Sequence, residues 1–583
     1  MKSILALLGI LFFVTSSFSQ ATEEDKKLAS YFDAWLEVYL KDHPTEATSL
    51  GDHRYDDRMD DFSPQAVAAR KKHTADTLVD LPNKIDYTKL SRNGQIDFEI
   101  FRDSLIRSQW DDKFTRPLER DPRAWNGYIS DSVFTLLVQS TVEKTRGVQN
   151  AAARIQGIPK LLEATKKMLK DCPEIFVQTA IKQNRGSVDF YRKGIFEIAG
   201  ETPQVSVLTE PCKKAAAALE EYQSFLEHEL LPRSKGDWRI GKERFAEKLK
   251  MELDLGFSAD ELYARALKES ERVKNDMAMI ARQMWAQTFP GKAVPPDDAA
   301  GRRLMIQLVL EELGKKHGEA KNIVTDAKNT IAEIKKFIEA KKILTLPSPD
   351  RCDVIEMPEF QRGFSTAYLN PAPALDPKAK SLYAVSPPPS EWNDRQVESY
   401  LREYNSSMLK ILTIHEAYPG HYVQLEYGNR NPSKIRRVLY SGVFAEGWAV
   451  YTEQMMLDQG FGEGDLSMRL HQLKWYLRAV TNTILDYRMH CLNLSDAEAL
   501  KLLMEDAFQT EGEALGKITR SKLSSCQLST YFAGRVVFYR LRQEVSRALG
   551  DKFDLKEYHE AALSHGTLPV KYLPELVKKQ LIK

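Results

Sequence analysis

Little in this sequence departs from electrical balance. Its 83 Lys and Arg residues face 82 Asp and Glu, a net charge of +1. That balance argues against the strongly basic footprint of a nucleic-acid-binding protein and against an acidic disordered tail. The 29 glycines and 26 prolines are too few for a collagen-like or low-complexity chain, and no short-period repeat marks a solenoid. Cysteine is scarce as well. Cys172, Cys212, Cys352, Cys491 and Cys526 are widely spaced with no CxxC, which argues against a thiolate zinc site or a thioredoxin-like motif. Their odd number leaves at least one unpaired within a single chain. Cys172 and Cys212 fall on or near neighbouring helical segments and are candidates for a disulfide in an oxidising compartment; the alternative is five small buried hydrophobes.

Long apolar runs are also missing, with one exception at the start. After Met1, Lys2 and Ser3, residues 4–14 are apolar, and Ser17 and Ser19 follow. That order is the pattern of a signal peptide over 1–19, cleaved after Ser19. The run is well short of the ~20 residues that span a bilayer, and no cysteine follows it to carry a lipid. The expectation is a periplasmic or secreted protein with no stable membrane anchor after cleavage.

The remainder has the texture of helices. Apolar residues make up 43% of the chain, enough for a large core. From about residue 20 to 345, Ala, Leu, Glu and Lys dominate and apolar residues recur every three or four positions. Phe245, Leu249 and Leu253 form one such stripe and Leu262, Ala266 and Leu267 another, separated by Gly256 and a Ser258–Glu261 capping box. Prolines then crowd residues 346–389, among which 364–369 and 381–385 read as short strands of a hairpin or small sheet near 360–386. A helix capped by Ser390 is expected next, with a buried stripe at Val397, Leu401, Tyr404, Met408 and Leu412. The predicted fold is mainly α, with a helical region over 20–345 and a second helical region over 346–583.

Continuing that stripe reaches His415 in the sequence HEAYPGH. The familiar HExxH zinc motif is absent. His415 and His421 are six positions apart, ~600° around a regular helix, so the rings would face apart. Pro419 cannot donate to the carbonyl of His415, however, and Gly420 relaxes the backbone beside it, so a kink or widened turn can restore a common face. From the residues alone, a metal site and two unrelated core histidines remain open alternatives. A helix over about 435–459 offers Glu446 among small residues, a carboxylate that burial would force to find a partner. Glu453, ~10 Å further along that helix, is too far to share the metal; it can orient a ligand, meet a substrate amine or form a structural ion pair. A third helix carries Arg478, Asn482, Asp486 and His490 at four-residue steps. His490 and Asp486 suit transition-state hydrogen bonding or support of a ligand, unless the stripe is simply a solvated face. In TYFAGR, Tyr531 can donate to an oxyanion and Arg535 can hold a carboxylate; a buried tyrosine and a surface arginine are the plainer readings.

HEAYPGH, AEGWAVYTE around Glu446, TYFAGR and the HGTLPVKYL that begins at His565 together resemble the bacterial family DUF885, most strongly from about residue 351 to the end. That family resembles the helical gluzincin metallopeptidases. The resemblance implies a large two-lobed helical fold and a Zn2+ ion held by His415, His421 and Glu446, with Glu416 as general base and Tyr531 or His490 stabilising the oxyanion. It also implies an oligopeptide substrate paired with an edge strand, either 364–369 or 381–385. The expected activity is zinc-dependent peptide hydrolysis. The alternatives are a non-catalytic peptide- or metal-binding protein on the same scaffold, or a zinc amidase or esterase acting on a non-peptide substrate.

Overall fold

A computed structural model describes residues 21–253, 256–357 and 367–582. The expected signal peptide, 1–19, lies outside them. Helices form where the apolar stripes predict them. Phe245, Leu249 and Leu253 are the buried side of helix Gly241–Leu253. Ser258 and Glu261 close a reciprocal capping box at the start of helix Ala259–Thr288, which buries Leu262 and Ala266. Leu267 points outward and is 42% exposed, so the stripe there is narrower than the sequence suggests.

The sheet has three short strands, β1 (Cys352–Glu356), β2 (Ala367–Asn370) and β3 (Ser381–Val385), in the order β1-β3-β2. β3 runs parallel to β1 and antiparallel to β2, with Cys352 opposite Ser381 and Ala367 opposite Val385. Two strands were expected. That over 381–385 forms as read; of 364–369, residues 367–369 lie in β2 and the others outside the described residues. β1 was missed because a half-exposed strand containing Asp353 and Glu356 shows little apolar alternation.

Asparagines divide what reads as one continuous helix after Ser390. Asn393, rather than Ser390, caps helix Asp394–Glu403 through a capping box with Gln396. The Asn405 carboxamide then accepts the backbone N–H groups of Ser407 and Met408, which starts a new helix, α1 (Ser406–Glu416). Five further helices frame the site: α2 (His421–Asn429), α3 (Gly442–Asp458), α4 (Leu466–Cys491), α5 (Glu511–Leu523) and α6 (Thr530–Leu549). The helix expected over 435–459 is likewise split, because Ser441 caps α3 separately from the short Lys434–Val438.

One hydrophobic core takes in residues from Leu28 to Val577 and so crosses position 345, while a second lies between Trp125 and Leu230. All five cysteines are free. Cys172 and Cys212 sit in the second core, where burial pushes both thiols up to about 12, so they act as small hydrophobes and the suggested disulfide is not formed. Among the described residues, no helix is long and apolar enough to cross a membrane.

Two buried histidines are locked as neutral rings. His559 Nδ1–H donates to the Ile343 carbonyl (2.8 Å) and its Nε2 accepts from Tyr451 Oη (2.7 Å). His471 Nδ1–H donates to the Ser467 carbonyl (2.8 Å) while its Nε2 accepts from Asn405 (2.9 Å). Burial lowers His559 to about 3 and His471 to about 4, against an ordinary 6.5. A depressed histidine favours the folded state fully above its unfolded value, and that contribution fades as pH falls from about 6.5 toward 4. The drop in Tm between pH 7.5 and 4.5 is therefore expected to be smaller in His559→Gln than in the parent chain. Parallel pH profiles in thermal melts would contradict this.

Candidate metal centre

The chain breaks completely between the two histidines of HEAYPGH. α1 ends at Glu416, residues 417–420 form a turn with a cis Tyr418–Pro419 peptide, and α2 begins at His421. Gly420 lies against the end of α1. A Cβ there would fall 1.9 Å from the His415 carbonyl oxygen and 2.3 Å from that of Ile414, so no side chain fits. Trp448 Nε1–H on α3 donates to the Pro419 carbonyl (2.8 Å) and fixes the turn from the far side. The six-residue spacing is thus not measured around one helix axis. The two imidazole centroids are 4.8 Å apart with their planes at 88°.

Glu446 enters from α3, which crosses α6 at two glycines; a Cβ on Gly447 would fall 2.4 Å from Gly534 Cα. The Oε2 of Glu446 lies 3.6 Å from His415 Nε2 and 3.5 Å from His421 Nε2. All three ligand atoms fall within 4.8 Å of one another. A tetrahedral ion with bonds of about 2.1 Å sets its ligand atoms about 3.4 Å apart, close to the two separations already present. Among the described residues the buried Oε2 has no hydrogen-bond partner, an orphaned acceptor between two imidazoles. Burial alone would raise the Glu446 carboxyl, but the two histidines outweigh it and hold it far below its ordinary value. The donor set and its spacing fit a divalent metal ion.

Glu453 stands behind His415. It is fully buried, accepts from His415 Nδ1–H (2.6 Å) and takes a second hydrogen bond from Trp475 Nε1–H (3.1 Å). This contact places the proton on Nδ1 and leaves the Nε2 lone pair for a metal. Glu453 does not line the cleft beside the cluster; it lies behind His415, in a position to orient that ring.

Glu416 and His415 line a cleft of about 570 Å³ whose walls also include Trp392, Tyr400, Trp475 and Tyr531. Burial pushes the Glu416 carboxyl up, His415 and His421 oppose that rise, and the backbone N–H of Leu369 on β2 bonds to the carboxylate. Tyr531 faces the same space. Burial raises its phenol to about 12, with the Glu446 charge adding to the effect, and its oxygen accepts from Arg520 Nη2 (2.9 Å) and Gln527 Nε2 (3.3 Å).

Three expected residues are engaged elsewhere. His490 Nε2–H is shared between the carbonyls of Ser521 (3.0 Å) and Ser524 (2.9 Å), and its ring packs against Trp238 and Phe245. Asp486 accepts from the backbone of Cys526 (3.2 Å) and the hydroxyl of Ser529 (2.8 Å). Four residues advance ~6 Å along a helix, so of this stripe on α4 only Arg478 and Asn482 reach the cleft. Arg535 bonds Tyr476 Oη and Gln454 Oε1 (2.6 Å each), is stacked between Tyr476 and Tyr539, and does not line the cleft. The residues missed lie on α5, where Glu513, Lys517 and Arg520 line the cleft at steps of four and three. That periodicity was available as a signal, but no motif drew attention to it.

The fold and this centre define a predominantly α-helical protein, with a small mixed sheet, that brings two histidines and a glutamate together in a geometry able to hold a metal ion. The chain belongs to DUF885, a family of bacterial proteins of unknown function, which matches residues 44–577. Similar solved structures include a proposed lipoprotein of unknown function from Shewanella oneidensis, 29% identical with a TM-score of 0.78, the match covering 94% of this chain and 99% of that one. A proposed lipoprotein from Colwellia psychrerythraea shares the fold at 21% identity and a TM-score of 0.73, with coverage of 96% and 99%. No curated protein matches the chain.

Removing the partner that orients a ligand typically weakens metal binding about 10- to 100-fold. Glu453→Gln is expected to do so here, measured by competition with a chromophoric chelator. Unchanged affinity would mean that the Glu453–His415 contact plays no part in metal binding.

Proposed function

We propose that this chain is an exported zinc-dependent peptidase that hydrolyses oligopeptides. The observation that carries the reading is the position of Glu416: a carboxylate next in sequence to one member of the His415, His421 and Glu446 cluster, lining an open cleft beside it. Two imidazoles and one carboxylate suit zinc, with room left for water or substrate. When bound, zinc supplies Lewis acidity to a scissile carbonyl and to a water molecule. In this reading Glu416 accepts the proton of the attacking water and delivers it to the leaving amine, with the Leu369 N–H steadying its carboxylate. Tyr531 donates its O–H toward the developing oxyanion. Among the described residues, of the two expected substrate-pairing strands only β2 has an open edge, because β3 is flanked on both sides.

All the residues that line the cleft fall between Ala367 and Tyr531, which supports 346–583 as the catalytic region and 20–345 as the helical region beside it in a two-lobed arrangement. A periplasmic or secreted location follows from residues 1–19 and accords with the description of both similar structures as lipoproteins, although no cysteine follows the apolar run of this chain.

A second reading, a metal- or peptide-binding protein without turnover, is favoured by the comparisons: the family has no assigned function and no curated peptidase matches. Glu416→Ala separates the two. If the chain is a peptidase, the variant keeps its zinc and loses at least about a hundredfold in turnover. No hydrolysis by either form across a broad peptide library would favour the binding protein. Activity on muropeptides or acyl esters alone would point to the amidase or esterase alternative.

A further inference from the structure

The cleft is electrically lopsided. Its lining includes His415 and Glu416 together with three cations, Arg478 of α4 and Lys517 and Arg520 of α5. The nearby acids are already engaged. Glu513 bonds Arg478 (2.9 Å) and Tyr404 Oη (2.8 Å), and Glu403 holds Lys474 through both its oxygens (2.8 Å each). Among the described residues Arg520 bonds only the neutral groups of Gln527 (2.8 Å) and Tyr531 (2.9 Å). Lys517 is 5% exposed and lines the cleft, yet among the described residues its ammonium has neither a hydrogen-bond acceptor nor a carboxylate partner. A largely buried lysine whose ammonium opens onto the cleft without a counter-charge is in a costly position, and such groups are normally paired. Burial, together with Arg478 and Arg520, drives Lys517 well below its ordinary value against the weaker pull of Glu513 and Glu446.

We propose that Lys517 and Arg520 receive the α-carboxylate of a bound peptide, so that the substrates are short peptides with a free carboxyl terminus. This rests on the peptidase reading above. An α-carboxylate would satisfy the orphaned ammonium and accept from the guanidinium of Arg520, while the chain N-terminal to it extends along the cleft toward Glu416.

The test uses the zinc-loaded Glu416→Gln protein, which holds peptides without cutting them. It is titrated by fluorescence with dansyl-Ala-Ala-Phe as the free acid, with its C-terminal amide, and with an amidated peptide bearing a penultimate Glu. The free acid is expected to bind at least about tenfold more tightly than either amide. Lys517→Met should erase most of that difference and the exposed Arg520→Gln part of it, so the test survives misfolding of the first variant. Equal binding of acid and amide, failure of the acid to bind, or preference for the penultimate Glu would overturn the proposal. Hydrolysis by the unmodified protein separates the two readings. Equal cleavage of acid and amide would leave the peptidase standing without this site, whereas selective binding of the acid without cleavage of any peptide would keep the site and remove the peptidase.

Discussion

The contact on which the centre depends is the approach of Gly420 to the carbonyl oxygens of Ile414 and His415. Because nothing larger than hydrogen fits there, the chain can leave α1 and start α2 almost on top of its own last turn. The close return turns a six-residue interval, unsuited to shared ligation on a helix, into a pair of nearly perpendicular imidazoles 4.8 Å apart. HExxH achieves proximity through helical periodicity; here it comes from a break held by Gly420, Pro419 and the indole of Trp448.

The second constraint is the crossing of α3 and α6 at Gly447 and Gly534, which brings α3 and its carboxylates against the histidines. Glu446 and Glu453, two turns apart on α3, occupy opposite ends of the same ring: Glu446 lies 3.6 Å from Nε2 of His415 and Glu453 2.6 Å from Nδ1. One carboxylate sets the tautomer and the other faces the lone pair that tautomer leaves. Neither role works without the other. If His415 carried its proton on Nε2, that nitrogen could not ligate a metal, and the orphaned oxygen of Glu446 would answer to a hydrogen-bond donor instead.

Much of this arrangement was legible in the sequence, for physical reasons that can be named. Local rules sufficed for the capping box at Ser258, the burial of Phe245, Leu249 and Leu253, and the strand over 381–385, since each depends on residues close in sequence. A common face for His415 and His421 was legible as one of two alternatives, because HEAYPGH contains both the helix breaker and the glycine that permits the turn, while their union with Glu446 came from the family resemblance. Cap competition was harder to see: Asn393 and Asn405 divide a stripe whose apolar spacing is continuous, because a carboxamide that accepts backbone N–H groups outweighs periodicity. Reach along a helix was the other difficulty. His490, Asp486 and Arg535 are suitable residue types on the right helices, but each is a turn or more from the cleft or already pinned by neighbours distant in sequence. Lys517 escaped notice because a lysine on an amphipathic helix is ordinarily solvated, and only tertiary packing shows that this one is buried.

The central claim is that these three side chains form a metal site despite their spacing. Elemental mass spectrometry of the mature protein, purified without chelators or a histidine tag, tests it most directly. The account predicts about one zinc per chain, lost in Glu446→Ala. A parent protein that holds no metal even after incubation with excess zinc would show that His415 and His421 are not joint ligands, and would contradict it.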